Sequence, residues 1–306
     1  MAEYQVVIIG GGPAGLTAGL YASRAGLKSR LVERGIFGGQ IVNGPWVETY
    51  PGFPEGLSGY DLAELMHQQA IKYGLETVNV EVTGLTPGTS SHTVLTSEGK
   101  LEAETVIIAA GAEHTRLGAP GEEKFAGKGV AYCATCDGFL FRDKMVAVVG
   151  GGDTALTDAL ELAQHASRVY VIHRRDQLRA GKVLQERALA QPKMEFIWDT
   201  VVDEVLGDKL VSELKLRQVR TGKTSRLKVD GVFVAIGVRP NSQPFAGVVE
   251  LDPAGGIVTD DMMATAVPGI FAAGDIRRNS VRQVASAVGD GATAALAAAR
   301  YLQSKV

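Results

Sequence analysis

Cysteine is almost absent from this chain: 306 residues hold two, Cys133 and Cys136. So few in so long a chain exclude a structural disulfide framework. With no histidine or further cysteine beside them they also make a poor zinc site. Net charge is small, −3 from 31 basic and 34 acidic residues, so nothing directs the chain to nucleic acid or to an acidic membrane surface. Long apolar runs are missing too. The one candidate, residues 4–20, is broken by Gly10, Gly11, Gly12 and Pro13, and no basic segment precedes it. That argues against a membrane span and a signal peptide, and for a cytoplasmic protein without membrane or nucleic-acid partners.

Glycine, by contrast, is abundant, at 38 residues. That is roughly 12 % against an ordinary share near 7 %. The glycines gather in tight turns after apolar segments, where nucleotide-binding folds need them. Tyr4–Ile9 reads as a buried parallel strand, Ala14–Arg24 as the following helix and Lys28–Glu33 as the next strand. Ser58–Tyr73 has helical spacing, with Ser58 as its N-cap. A second βαβ unit runs from Met145–Val149 through a helix near Thr154–Ala163 to Arg168–Ile172. Residues Val201–Lys228 alternate as a β-meander, and an Ala-rich helix is expected from about Gly291 to Leu302.

The two βαβ openings form a loose internal duplication. The expected fold class is α/β, with two Rossmann-like three-layer nucleotide-binding domains, the second inserted in the first. The seams are expected near Arg116–Gly121 and Pro240–Pro244. This gives a discontinuous domain of residues 1–116 and 243–306, and an inserted one of residues 117–242.

The first fingerprint is Gly10-x-Gly12-x-x-Gly15, between a strand and a helix. Its glycines permit the tight turn, the close approach of a pyrophosphate and helix–strand packing, with the phosphates at the helix N-terminus. Glu33, at the end of the second strand, is placed to accept from ribose hydroxyls. The second fingerprint is Gly150-x-Gly152-x-x-Ala155. After its next strand the chain reads His173-Arg174-Arg175, with Arg179 close behind. An NAD site usually carries a carboxylate there; cations instead favour the 2′-phosphate of NADPH. A third motif, Ala272-Ala273-Gly274-Asp275, places Asp275 to bind the ribityl hydroxyls of a flavin. Gly289-Asp290-Gly291 is expected to begin the last helix, its positive end favouring negative charge on the flavin ring.

The spacing Cys133-Ala134-Thr135-Cys136 lets two thiols close a small ring, just ahead of the second fingerprint. A redox-active dithiol and a hydride donor on one lobe imply an electron relay. Together, Ala131-Tyr132-Cys133-Ala134-Thr135-Cys136-Asp137-Gly138-Phe139, the two fingerprints, His173-Arg174-Arg175 and Arg282-Gln283 resemble bacterial low-molecular-weight thioredoxin reductases over the whole chain. The resemblance implies a homodimeric flavoprotein with FAD in the discontinuous domain, NADPH in the inserted one and thioredoxin as protein substrate. It implies catalytic roles for Cys133, Cys136 and Asp137, with Cys136 facing the flavin, Cys133 as the interchange thiol and Asp137 as general acid/base.

By the same resemblance FAD meets Gly10, Gly12, Pro13, Ala14, Gly15, Glu33, Gly38, Gly39, Gln40, Thr49, Val82, Gly111, Gly274, Asp275, Arg282, Gln283 and Val284. NADPH meets Gly152, Asp153, Thr154, His173, Arg174, Arg175, Arg179, Ile236 and Gly237; no metal is implied. The chain departs from the pattern in three places. Thr49 and Tyr50 precede Pro51-Gly52 where the family commonly has Asn before that pair. Ala110 stands before Gly111 in place of a common Thr, and Ser286 where Thr is favoured.

Nicotinamide and disulfide share one lobe yet must each reach a single flavin, so the inserted domain is expected to rotate between two states. Two other readings compete. A ferredoxin or flavodoxin reductase of this architecture lacks the dithiol, and a flavin-binding sensor without catalysis needs no Arg174-Arg175-Arg179 cluster. Reduction of a small protein disulfide other than that of thioredoxin stays open.

Overall fold

The computed structural model describes residues 2–44 and 46–305. Strands and helices are numbered in chain order. β1 (Tyr4–Ile9) is buried along nearly its whole length, as an apolar central parallel strand must be. It pairs in parallel with β2 (Ser29–Glu33) and with β6 (Gly99–Ile108). α1 (Pro13–Arg24) makes the crossover, with proline in its first turn, where a missing N–H costs no hydrogen bond. β3 (Glu76–Asn79) extends the sheet beyond β2, while β4 (Val82–Thr86) and β5 (His92–Thr96) add antiparallel strands beyond β6. β17 (Ile270–Ala272) returns late in the chain to pair in parallel with β6. α2 (Gly59–Lys72) is capped by Ser58, whose hydroxyl accepts the Asp61 N–H at 3.0 Å.

α6 (Val284–Gln303) corrects one expectation: it begins at Val284, not near Gly291. Gly289 and Gly291 read as helix breakers on propensity. A capping box between Gln283 and Ser286 starts the helix upstream of them. Gly291 is then required inside it, because a Cβ there would strike the Ala14 carbonyl of α1. Tertiary packing overrides the local cost.

The chain divides into two compact units, Met1–Glu113 with Arg239–Val306, and His114–Val238. β7 (Ala112–His114) and β16 (Val238–Pro240) lie at the two passages between them. The second unit is built on a parallel sheet of order β11-β10-β9-β15-β8. Its members are β8 (Val130–Ala131), β9 (Met145–Val149), β10 (Arg168–Ile172), β11 (Met194–Ile197) and β15 (Gly231–Val234). α3 (Ala134–Asp137), α4 (Asp153–His165) and α5 (Lys182–Leu189) accompany it. β12 (Thr200–Gly207), β13 (Val211–Gln218) and β14 (Thr224–Lys228) form the expected antiparallel meander. Among the described residues no helix is long and apolar enough to cross a membrane.

Candidate active site

In the first unit the glycines of the β1–α1 turn divide their work. Gly10 has φ +107°, and a Cβ there would press on the main chain of Ala109 and Ala110 at the end of β6. A Cβ on Gly15 would strike the Gly10 carbonyl, so the helix could not lie this close to its strand. Gly12 faces open space, with nothing within 4 Å of its Cβ position. It is also the N-cap of α1, and no side chain caps the helix. The first-turn amides and the helix dipole are thus left for an anion, a cradle that fits a pyrophosphate.

The stretch after β2 folds back onto this turn. Glu33 accepts the Gly11 N–H at 2.6 Å through one carboxylate oxygen and the Gly35 N–H at 2.8 Å through the other. Gly38 donates to the Gly11 carbonyl at 2.7 Å, and Gly39 lies against Gly12. Gly274, at φ +76°, is buried with its missing Cβ facing the Ala14 side chain, which brings Asp275 to the same end of α1. Asp275 accepts from Ser280 at 3.1 Å, and burial raises its pKa. Gln283 and Val284 form the start of α6, so its positive end belongs to them and not to Gly289–Gly291. Among the described residues no hydrogen bond links Thr49 or Val82 to the fingerprint; Thr49 and Gln40 are exposed. Gly111 has φ +65° and accepts the Asn241 N–H at 3.0 Å.

The second unit repeats the device. Gly150 has φ +154°, and its Cβ would meet the Ala235 carbonyl, ahead of Ile236 and Gly237. Gly152 again caps its helix without a side-chain bond and again faces open space. Asp153 holds the Gly181 N–H at 2.8 Å, and Arg179 donates its N–H to the Gly151 carbonyl at 2.7 Å, so the arginine loop is pulled over the fingerprint. Thr154, beside Asp153 in the first turn of α4, is exposed. Arg174, Arg175 and Arg179 are exposed and, among the described residues, make no ion pair. Arg220 does, to Asp176 and Asp199. His173 is set apart from the three arginines: it is 4 % exposed, bonds through Nε2 to the Gln177 carbonyl at 3.0 Å and lies against Gly151. Burial, with the nearby arginines, lowers its pKa. It supports the loop as a neutral ring.

The dithiol follows β8. In the parallel sheet only β15 separates β8 from β9, so two strand spacings, about 10 Å, divide the strand that leads to Cys133 from the strand that leads to Gly150. Cys133 and Cys136 form a disulfide with Cα atoms 5.3 Å apart, and both residues are half-buried. Cys133 is the N-cap of α3, its sulfur accepting the Cys136 N–H at 3.1 Å. Thr135 between them donates to Glu161 of α4 at 2.9 Å. Burial pushes Asp137 up to about 6. Asp158 of α4 is pushed up to about 7, by burial first and then by the charge of Glu161. Phe139 and Leu140, just after the dithiol, are 38 % and 44 % exposed.

A family model described as pyridine nucleotide-disulphide oxidoreductase matches residues 4–291. The chain is 45 % identical over 301 residues to a thioredoxin reductase of Listeria innocua, covering 98 % of this chain and 94 % of that one. It is 45 % identical over 305 residues to a thioredoxin reductase of Treponema pallidum, covering 99 % and 98 %. The crystal structure of thioredoxin reductase from Streptococcus pyogenes superposes with a TM-score of 0.95 at 45 % identity, covering 98 % of each chain. The chain belongs to the thioredoxin reductase family.

FAD and NADPH are the cofactors of thioredoxin reductases, and the two cradles fit two such dinucleotides. Several residues that shape this thioredoxin reductase-type site escaped sequence reasoning. Glu122 is 4 % exposed and accepts the Leu117 and Gly118 N–H groups and the Tyr132 hydroxyl, anchoring the residue before Cys133. Glu161 anchors Thr135 from another helix. Arg277 and Asp290 pair at 2.7 Å beside the Asp275 turn. No local pattern marks these contacts, since each joins segments distant in sequence or separated by a turn.

Proposed function

We propose that this chain is an NADPH-dependent thioredoxin-disulfide reductase, with FAD in the unit Met1–Glu113 with Arg239–Val306 and NADPH in the unit His114–Val238. One observation carries the reading: a Cys133–Cys136 disulfide one intervening strand away from a dinucleotide turn, on the same parallel sheet. The bound cofactors supply hydride transfer from NADPH to FAD and two-electron reduction of that disulfide.

Everything after that step belongs to the chain's own sulfurs. Cys133 attacks one sulfur of the substrate disulfide as a thiolate, and the other substrate sulfur leaves as a thiolate. Cys136 then attacks the Cys133 sulfur of the mixed disulfide. The Cys133–Cys136 bond re-forms and the substrate departs as a dithiol. Asp137, held near pKa 6, exchanges the proton that accompanies thiolate formation. Exposed Phe139 and Leu140 offer apolar contact to a protein substrate.

Gly10, Gly12, Pro13, Ala14 and Gly15 hold the FAD phosphates, Glu33 the ribose side, and Asp275 the ribityl chain. Gly152, Asp153 and Thr154 receive the NADPH phosphates, and Arg174, Arg175 and Arg179 its 2′-phosphate. His173 holds the arginine loop. Nicotinamide and disulfide both belong to the His114–Val238 unit and must meet one flavin, so that unit turns between two arrangements during each cycle.

A second copy of the chain covers the apolar cleft of 270 Å³ between α1, α2 and Tyr50–Phe53, making the enzyme a homodimer. A reducible dithiol with no structural disulfides beside it suits the cytoplasm. The test is a coupled assay of the purified protein with NADPH or NADH and thioredoxin, following release of thiols. Stoichiometric thiol release supports the reading. NADPH oxidation without thiols favours an electron-carrier reductase, and a protein that takes up no flavin overturns the architecture.

A further inference from the structure

We propose that the Asp290-Gly291 step of α6, with Arg277 as its counter-charge, is the joint that locks the two halves of the flavin cradle together. The proposal rests on the reading of this unit as the FAD domain. The cradle is made of segments far apart in the chain: the start of α1 around Ala14, and the Gly274–Asp275 turn after β17. β17 and β1 both pair with β6, which aligns the strands but leaves the turns beyond them to be fixed by other contacts.

α6 makes those contacts with two adjacent residues. Gly291 is buried against the Ala14 carbonyl, at a position where any Cβ would collide with it. Asp290 accepts the Gly274 N–H at 3.1 Å with the same carboxylate oxygen that Arg277 reaches at 2.7 Å. Arg277 donates its Nε–H to the Thr259 hydroxyl at 2.9 Å. Gly274 in turn leaves no room for a Cβ against Ala14. Three segments therefore close on one point, each held by a group that tolerates little change.

Both side chains of the ion pair are only 18 % exposed. In such a place a carboxylate needs its counter-charge, and removing one partner leaves the other uncompensated. The need is sharper here because Asp275 lies next to the pair: burial raises its pKa, the Ser280 hydroxyl and Arg282 lower it, and the charge of Asp290 raises it. Arg277 neutralises Asp290 beside Asp275. The chain's own residues thus set the position of the ribityl-binding carboxylate before any flavin arrives. Arg277 and Asp290 are positioning residues; neither is assigned a contact with the cofactor.

The experiment is FAD titration of deflavinated full-length protein, followed by flavin fluorescence, in parallel with urea unfolding of the same flavin-free samples. Asp290→Ala and Arg277→Met are expected to raise the FAD dissociation constant by about tenfold or more. The double variant Arg277→Met with Asp290→Asn carries no uncompensated charge and keeps an acceptor for the Gly274 N–H, so it is expected to recover most of that loss. Dissociation constants within about twofold of the parent in both single variants, with or without lost stability, would overturn the proposal while leaving the flavin reading intact. Should Asp290→Ala fail to fold, Asp290→Asn against the double variant decides the same question. A parent chain that binds no FAD would overturn the flavin reading first, and the joint with it.

Discussion

The main-chain N–H of Cys136 donates to the sulfur of Cys133 at 3.1 Å, so the first cysteine is the N-cap of the helical turn that carries the second. The N–H belongs to the main chain of α3. With this turn kept after reduction, the N–H points at the charge on Cys133. The two sulfurs of a symmetric-looking motif are therefore unequal. Cys133 is expected to be the more acidic thiol of the reduced protein, below the ordinary value near about 8.5. Differential alkylation across pH, read by peptide mass spectrometry, checks this; faster modification of Cys136 at neutral pH would contradict it.

The same inequality separates the two half-reactions. Cys136→Ser should still let NADPH bleach the flavin absorbance, because both dinucleotide cradles are untouched. Turnover of thioredoxin disulfide should fall to background, since no intramolecular disulfide can re-form. Retained thioredoxin reduction by this variant would sink the relay.

Asp137 ties catalysis to pH. Burial raises its pKa from 3.8 to about 6, so between those values the folded protein binds more protons than the unfolded chain. Its favourable contribution to stability is therefore complete below the lower value and lost as pH rises through the upper one. Asp137→Asn should reduce that decline, seen as thermal midpoints that fall less steeply through this window, while Asp158, raised to about 7, keeps its own share. The same substitution should also slow thiol–disulfide interchange by roughly a hundredfold to ten-thousandfold and erase any inflection near pH 6 in the rate profile. An unchanged profile would assign the proton transfer to another group.

Cofactor choice should follow the arginine loop. Replacing Arg174, Arg175 and Arg179 by alanine should raise KM for NADPH by about tenfold for each strong charge-assisted bond to the phosphate that is removed, and leave KM for NADH nearly unchanged. Steady-state kinetics with the two nucleotides measures this directly. Equal losses with both would mean that the loop shapes the site without reading the 2′-phosphate. His173→Gln should weaken binding of both nucleotides through the turn at Gly151, and of NADPH more than NADH through the arginine loop that its ring bonds at Gln177.

Much of the chemistry was legible in local patterns. A buried apolar run, then Gly10, Gly12 and Gly15, then a helix can be read residue by residue, because strand period, turn conformation and helix capping are short-range effects. The Cys133–Cys136 spacing is of the same kind, as is the cluster of Arg174, Arg175 and Arg179. Ser58 announced α2 for the same reason. The start of the last helix was not legible, because glycine content is a local signal, whereas Gly291 serves a contact with Ala14 that no window of the sequence contains.

The remainder was decided by which distant segments meet. His173 stands beside three arginines in sequence, yet the fold buries it and leaves them exposed. Glu122 gains its three donors, Glu161 its threonine and Asp290 its arginine only when strands and helices are in place. Sequence by itself determined the residue types that can hold phosphates and exchange electrons, since those follow from backbone freedom and side-chain chemistry. Tertiary structure decided which carboxylates are buried, paired or left to move a proton. Burial and Coulomb energies depend on neighbours in space, and those neighbours are chosen by packing.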